Sequence, residues 1–179
     1  MGSNDEGEGQ VNVADIGLQN LWLSLQKTSW QVLAVVPATR QIGGLEVANL
    51  IAEVAWHYRG EPTVVLDLRD INLRVVEYHK KEIEAHTKKG ASVIVALSAI
   101  QQNPSTIALA RAADAAVLVV RLGDTSMKSA TSTVAEIGHD HFAGMILTKK
   151  KKPIAAVAQL VQLDATRITV KVPARGART

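Results

Sequence analysis

The feature that most constrains this chain is a regular alternation of short β-branched apolar runs with longer segments of helical periodicity. The runs fall at 31–36 (QVLAVV), 63–66 (TVVL), 92–97 (SVIVAL), 116–120 (AVLVV), 145–147 and 168–172. Their apolar residues are consecutive rather than alternate, which suits strands covered on both faces, as in a parallel sheet. Between them, 45–58 places Val47, Leu50, Ile51, Val54 and Tyr58 on one stripe, and 75–89 reads as a charged helix ending before Gly90. Asn103-Pro104 reads as an N-cap followed by a helix-opening proline, with the helix running through Ala113. Asp124 is the expected cap of the next helix, with Met127, Ala130, Thr131, Val134 and Ile137 facing inward and Gly138 ending it. A last helix is expected from Pro153 to about Leu163, and the first from Ile16, Leu18, Leu21, Trp22 and Leu25 within 13–25. Six alternations with short links predict an α/β fold: a three-layer, doubly wound, mainly parallel sheet of about six strands with helices on both faces.

Length and composition bound the rest. At 179 residues and 47% hydrophobic, the chain makes one domain, expected at 13–173 after an acidic, Gly-rich leader at 1–12 and before a tail at 174–179. Cysteine is absent, so thiol chemistry and Cys-ligated zinc are excluded. Six aromatics leave an aliphatic core and few platforms on which bases would stack. The net charge of +3 is unevenly spread: Asp5, Glu6 and Glu8 precede any base, whereas 145–179 holds eight bases against Asp164. No apolar run approaches the roughly 20 residues that span a bilayer, and the first ten residues lack a signal-peptide pattern. The expected location is cytoplasmic, peripheral at the inner membrane if the lysine run meets lipid.

In a doubly wound sheet ligands bind beyond the carboxyl ends of the strands. The loop after the first strand, Pro37-Ala38-Thr39-Arg40-Gln41-Ile42-Gly43-Gly44, lies where backbone N–H groups and a helix N-terminus favour a phosphate. Its chemistry does not match. A phosphate loop needs a lysine for the β and γ phosphates and a following hydroxyl for magnesium, yet no lysine lies between Lys27 and Lys80 and no Ser or Thr follows Gly44.

Several stretches nevertheless resemble the MinD-like P-loop ATPases, above all the cytoplasmic domain of the bacterial tyrosine autokinases of polysaccharide biosynthesis. Ala48-Asn49-Leu50-Ile51 is similar to that family's A-N-L-A. Residues 64–69 (VVLDLR) resemble L-L-I-D-A-D-L-R, and 92–97 resemble the Walker B strand V-I-I-D-T-P. The closest stretch is 108–121 (ALARAADAAVLVVR) against I-L-A-R-L-A-D-G-V-L-L-V-V-R, and 142–148 (FAGMILT) resembles h-x-G-V-V-L-N. The departures fall on the family's catalytic positions. Gly43 stands for the lysine, with Gly44 and Leu45 after it, and Ala96 stands for the Walker B aspartate. Asp67 is the one surviving acid of its motif, either the first with Arg69 in place of the second, or the second with Val65 in place of the first. The oligomer motif E-x-x-R-x-x-R maps onto Asp15, Leu18 and Leu21. Only 28 residues lie between Asp67 and Ala96, a short connection, and the tail has no tyrosine cluster.

Magnesium held by nucleotide phosphates needs oxygen ligands, and the missing hydroxyl and carboxylates would supply them. The resemblance therefore implies the fold and a polysaccharide biosynthesis or export pathway, with a non-catalytic, pseudokinase-like protein bound to an inner-membrane chain-length or export component. No catalytic residue, cofactor or metal ligand is assigned. The alternatives are a nucleotide-dependent enzyme using Arg40, Asp67 and Arg69, and an anion- or nucleic-acid-binding module using Lys149, Lys150, Lys151 and Lys152. No nucleic-acid motif accompanies that run, which otherwise reads as a solvated loop or a contact with acidic lipid.

Other clusters have plainer readings. His79, Glu82 and His86 share one helix face, but Lys80, Lys81, Lys88 and Lys89 oppose a cation there, so the face reads as solvated. His139-Asp140-His141 reads as a surface turn, and Ser98 has no His and Asp partners by pattern. The helix at 13–25 is apolar on more than one side, and leucines at 18 and 21 point to a hydrophobic contact between copies of the chain.

Overall fold

The structure, a computed structural model, describes residues 16–40, 43–60, 62–149 and 160–161. Five strands run parallel: β1 (Val32–Pro37), β2 (Thr63–Asp67), β3 (Ser92–Ala96), β4 (Ala115–Leu122) and β5 (Phe142–Lys149). Their spatial order is β2-β3-β1-β4-β5, and a two-residue β6 (Leu160–Val161) pairs antiparallel with β5. The connecting helices are α1 (Ile16–Leu25), α2 (Gly44–Arg59), α3 (Val76–Lys88), α4 (Ser105–Ala112) and α5 (Met127–Ile137).

The consecutive apolar runs become strands buried on both sides, as their composition requires. Every residue of β1 and β3 is buried, and successive residues divide between two clusters. Ala34, Val36, Val93, Val95, Ala116 and Leu118 pack with Val76 and Ile83 of α3, Leu109 of α4 and Val134 of α5. Leu33, Val35, Ile94, Val117 and Val119 pack with Leu21 and Leu25 of α1 and with Val47, Ile51 and Val54 of α2. Each fully buried Val, Leu or Ile contributes about 1.5–3 kcal/mol, so the central strands carry apolar stabilisation on both faces. Edge strand β2 is only half-buried.

Three sequence expectations about these elements are corrected. The segment expected to be helical through Leu163 is β-strand at Leu160–Val161, where it pairs with Met145 and Ile146; the N–H and C=O groups of the β5 edge take a partner there, a tertiary demand that overrides local helix propensity. Asp124 does not cap α5. Ser126 does, accepting from the Ser129 N–H at 3.1 Å. Met127 and Thr131 face outward, and the inward stripe is Ala130, Thr133, Val134 and Ile137. By contrast Tyr58 keeps to the α2 stripe at the helix end, where it is partly exposed and stacks on the core residue Trp22 with centroids 6.2 Å apart. Gly138 ends α5 at φ +112°, backbone that L side chains rarely adopt. The strand expected at 168–172, the leader at 1–12 and the tail at 174–179 lie outside the described residues. Among the described residues, no helix is long and apolar enough to cross a membrane.

Leu21 is fully buried in this chain's own core beside Trp22 and Leu25. Its side chain is therefore spent on intramolecular packing and is not presented to another copy. The outward residue of α1 is Leu23, 59% exposed.

The stretch closest to the autokinase pattern proves to be scaffold. Asp114 Oδ2 accepts the N–H groups of Gln31 and Val32, at 2.9 and 2.8 Å, and so ties the start of β1 to the start of β4. Arg111 donates through Nε to the Ile137 carbonyl at 3.2 Å and through Nη2 to that of Glu136. A cation there satisfies the last carbonyls of α5 and complements its dipole. His141 Nε2 donates in turn toward the carbonyls of Arg111 and Ala113, at 3.0 and 3.1 Å, so the turn His139–His141 is an anchor as well as a surface feature. Hydrogen bonds to a charged acceptor are each worth about 1.5–3 kcal/mol. Asp114→Ala should accordingly lower the unfolding free energy by about 2 kcal/mol or more in urea, while Asp114→Asn, which keeps one acceptor oxygen, should retain part of it.

Candidate functional site

The carboxyl ends of the five parallel strands meet along one rim, held by ladder bonds that continue past the strands. The Ala38 N–H donates to Val119 O at 2.9 Å, Leu97 N–H to Val35 O at 3.0 Å and Leu68 N–H to Ala96 O at 3.0 Å. These bonds fix the loops after β1, β2 and β3 side by side. The connection from β1 passes β3 to reach β2, and that from β3 passes β1 to reach β4. The crevice between the β1 and β3 ends is thus the point where the strand order reverses, the usual place for a ligand in such a sheet.

In that crevice α2 begins at Gly44 with Gly43 as its N-cap residue and no side-chain cap. Gly44 is buried, and a Cβ there would come 3.0 Å from both the Leu97 carbonyl and the Pro37 ring. Both are stiff neighbours, so the close approach of loop and strand needs glycine at this one position. Glu46, in the first turn, folds back over Gly43, its carboxylate oxygen 2.5 Å from where a Gly43 Cβ would sit. An acid at this place is stabilised by the positive end of the helix. It is the place a phosphate would claim. A phosphoryl oxygen about 4 Å from that carboxylate would be opposed by about 4 kcal/mol per pair of unit charges at an effective dielectric near 20. The hydroxyl of this loop, on Thr39, lies at its start and not in the first helical turn where a magnesium ligand belongs.

Past β2, Asp67 and Arg69 form a bidentate pair, Nε to Oδ1 and Nη2 to Oδ2, both at 2.7 Å. The hydrogen bond from Arg69 holds the Asp67 carboxyl below its usual pKa against a smaller opposing effect of burial. The Arg69 guanidinium is held charged first by Asp67, with the more distant carboxylates of Asp70 and Glu46 adding to it. Both carboxylate oxygens of Asp67 are thus engaged by the guanidinium. Arg40, proposed with these two for an atypical enzyme, is exposed, and among the described residues no hydrogen bond or ion pair joins it to either.

The remaining candidates resolve as scaffold or surface. Ser98 Oγ donates to the Arg69 carbonyl, and Thr106 Oγ1 donates to Ser98 O at 3.0 Å, so this serine braces two loops. His79 pairs with Glu82 at 2.8 Å and Lys80 with Glu77 at 2.7 Å along α3. Among the described residues no group of three His, Cys, Asp or Glu side chains is placed to hold a metal. Of the lysine run only the backbone of Lys149, in β5, is described; Lys150, Lys151 and Lys152 lie outside the described residues.

One site had little signal in the sequence. The loops after β2 and β3 line a cleft of about 720 Å³, open to solvent, whose walls include Arg69, Arg74, Ser98, Asn103 and Ser105. Asn103 was legible as a helix cap, and its Oδ1 does accept the Ser105 N–H at 3.0 Å. Its Nδ2, however, also donates to the carbonyls of Arg69 and Ile71, at 3.2 and 2.6 Å, and so shapes the cavity wall from across the sheet.

The Asp67 pair predicts a specific pH dependence. Its folded-state pKa lies below the unfolded value, so its stabilisation is complete above about pH 4 and is lost as pH falls through the folded value. With the side chains 43% and 39% exposed, the effect stays within the ~1 kcal/mol of solvent-screened pairs. Asp67→Asn should cost that much at pH 7 and progressively less as pH falls below about 4, read from urea midpoints. A difference that persists in acid would show that the pair is not its source.

Neither a protein-family model nor a curated protein matches this chain.

Proposed function

We propose that this chain is a non-catalytic member of the MinD-like P-loop superfamily, nearest the cytoplasmic autokinase domain of bacterial exopolysaccharide biosynthesis. In this reading the sheet is a six-stranded, doubly wound, three-layer one, and the domain works at the inner membrane by binding a chain-length or export component. The order β2-β3-β1-β4-β5, with β1 central, supports it. So does the scaffold role of Arg111 and Asp114, which accounts for the resemblance being closest where no ligand chemistry is needed.

The observation that carries the non-catalytic part is the Glu46 carboxylate folded over Gly43 at the start of α2, in a loop without lysine. A nucleotide would have to displace that carboxylate and then bind without the ammonium, hydroxyl and second acid that offset phosphate and magnesium charge. Protein contacts would fall on exposed apolar side chains: Leu23 of α1 at 59% and Trp56 of α2 at 61%. A contact between copies through 13–25 would then use Leu23 in place of Leu21. Lys149 to Lys152 would meet acidic headgroups, at about 1 kcal/mol per base.

Isothermal titration of the full chain with ATP and magnesium tests the reading. No heat of binding is expected up to millimolar nucleotide, and no hydrolysis above the uncatalysed background. Micromolar, magnesium-dependent binding would overturn it in favour of the nucleotide-dependent enzyme.

A further inference from the structure

The cavity between the β2 and β3 ends is separate from the β1–α2 loop, and its chemistry is of another kind. Its volume, about 720 Å³, falls in the roughly 300–1,000 Å³ range of small-molecule sites. Its walls are braced before any ligand arrives. Ser98 and Asn103 both donate to the Arg69 carbonyl, Asn103 also donates to that of Ile71, and Asn72 Oδ1 accepts the Arg74 N–H at 2.9 Å. This fixes the backbone from which both cavity arginines project.

Two side chains in this wall have donor capacity to spare. Arg74 is exposed and forms no ion pair among the described residues. Arg69 gives one edge of its guanidinium, Nε and Nη2, to Asp67 and keeps Nη1 and the second N–H of Nη2 for another acceptor. Ser105 also lines the cleft, but its Oγ is closed off from solvent and so from a ligand. The N-terminus of α4 supplies no open amide, because the Ser105 and Thr106 N–H groups both go to Asn103. It supplies only the positive end of its dipole. Asp70 is the one acid in the wall, exposed at the same turn as Arg69, so the charged part of a ligand is directed toward Arg74.

We propose that this cleft binds a small molecule through an oxyanion, phosphoryl or carboxylate, taken by Arg74 and the outer edge of Arg69. Planar guanidinium groups meet both oxyanions through paired hydrogen bonds, which is why two arginines select this chemistry over a simple point charge. The site does not depend on the superfamily reading, since it uses none of the β1–α2 loop.

The test is an NMR titration of the isotope-labelled full chain with inorganic phosphate and, separately, with acetate, at constant ionic strength near 0.15 M. Saturable shifts are expected at the Ser105 and Asn103 amides and at Arg74 Nε, with phosphate or acetate the tighter according to which oxyanion the site prefers. Arg74→Ala should weaken binding at least about tenfold, the usual scale for losing a charge-assisted pair. Arg74→Lys should recover part of it. Saturable shifts at Gly43 and Gly44 instead would move the anion to the β1–α2 loop and overturn both this site and the non-catalytic reading. Absence of saturation with either anion, or binding unchanged in Arg74→Ala, would overturn this site alone.

Discussion

Burial of β1 on both faces is the constraint from which the rest of the molecule follows. A strand with Leu33 and Val35 in one cluster and Ala34 and Val36 in the other cannot stand at an edge or face water. It must have hydrogen-bonded neighbours on both sides and apolar cover above and below. Parallel β3 and β4 provide the first, and α1 and α2 against α3, α4 and α5 the second. Once β1 is central, the connections leaving β1 and β3 must cross in opposite directions, and the crevice between their ends is produced by topology alone. Gly43, Gly44 and Ala96 are compatible with every strand pairing observed.

The separation of the frame from the crevice explains an uneven resemblance. The run through Arg111 and Asp114 sits at the opposite rim of the sheet, where Asp114 clamps the start of β1 and Arg111 closes the end of α5. His141 returns a hydrogen bond to the end of α4, so three elements are tied together near one point. Residues with this duty are needed whether or not a nucleotide is ever bound. Lysine, hydroxyl and paired acids in the phosphate loops are needed only if one is.

Much of the frame was legible because it is written in periodicity. Consecutive β-branched residues identified β1 to β5, and Val47, Leu50, Ile51 and Val54 the buried face of α2. What failed was set by tertiary demands of which a local pattern carries no trace. Leu160 and Val161 are apolar and lie in a helix-favouring stretch, yet the open edge of β5 takes them as a strand. Met127 is apolar but sits in the first turn of α5, ahead of the point where that helix reaches the sheet, and is 60% exposed. Leu21 read as a surface for a second copy because helix 13–25 is apolar on several sides; packing against α2 shows which side is the core. The cleft was not legible, because its walls come from two loops about 30 residues apart in the chain, joined by the Asn103 and Ser98 hydrogen bonds.

The parallel frame should be complete without a nucleotide, with the place a phosphate would take at the start of α2 covered by Glu46. Native-state hydrogen exchange, with and without millimolar ATP and magnesium, tests both parts at once. The amides of Ala34, Val35, Ile94 and Leu118 should exchange only through global unfolding, with opening free energies equal to the full stability of the chain. Protection of these amides, and of Gly44 and Leu45, should be unchanged by nucleotide. Central strands that open well below the global free energy, or protection of the α2 N-terminus that rises with nucleotide as binding linkage requires, would contradict it.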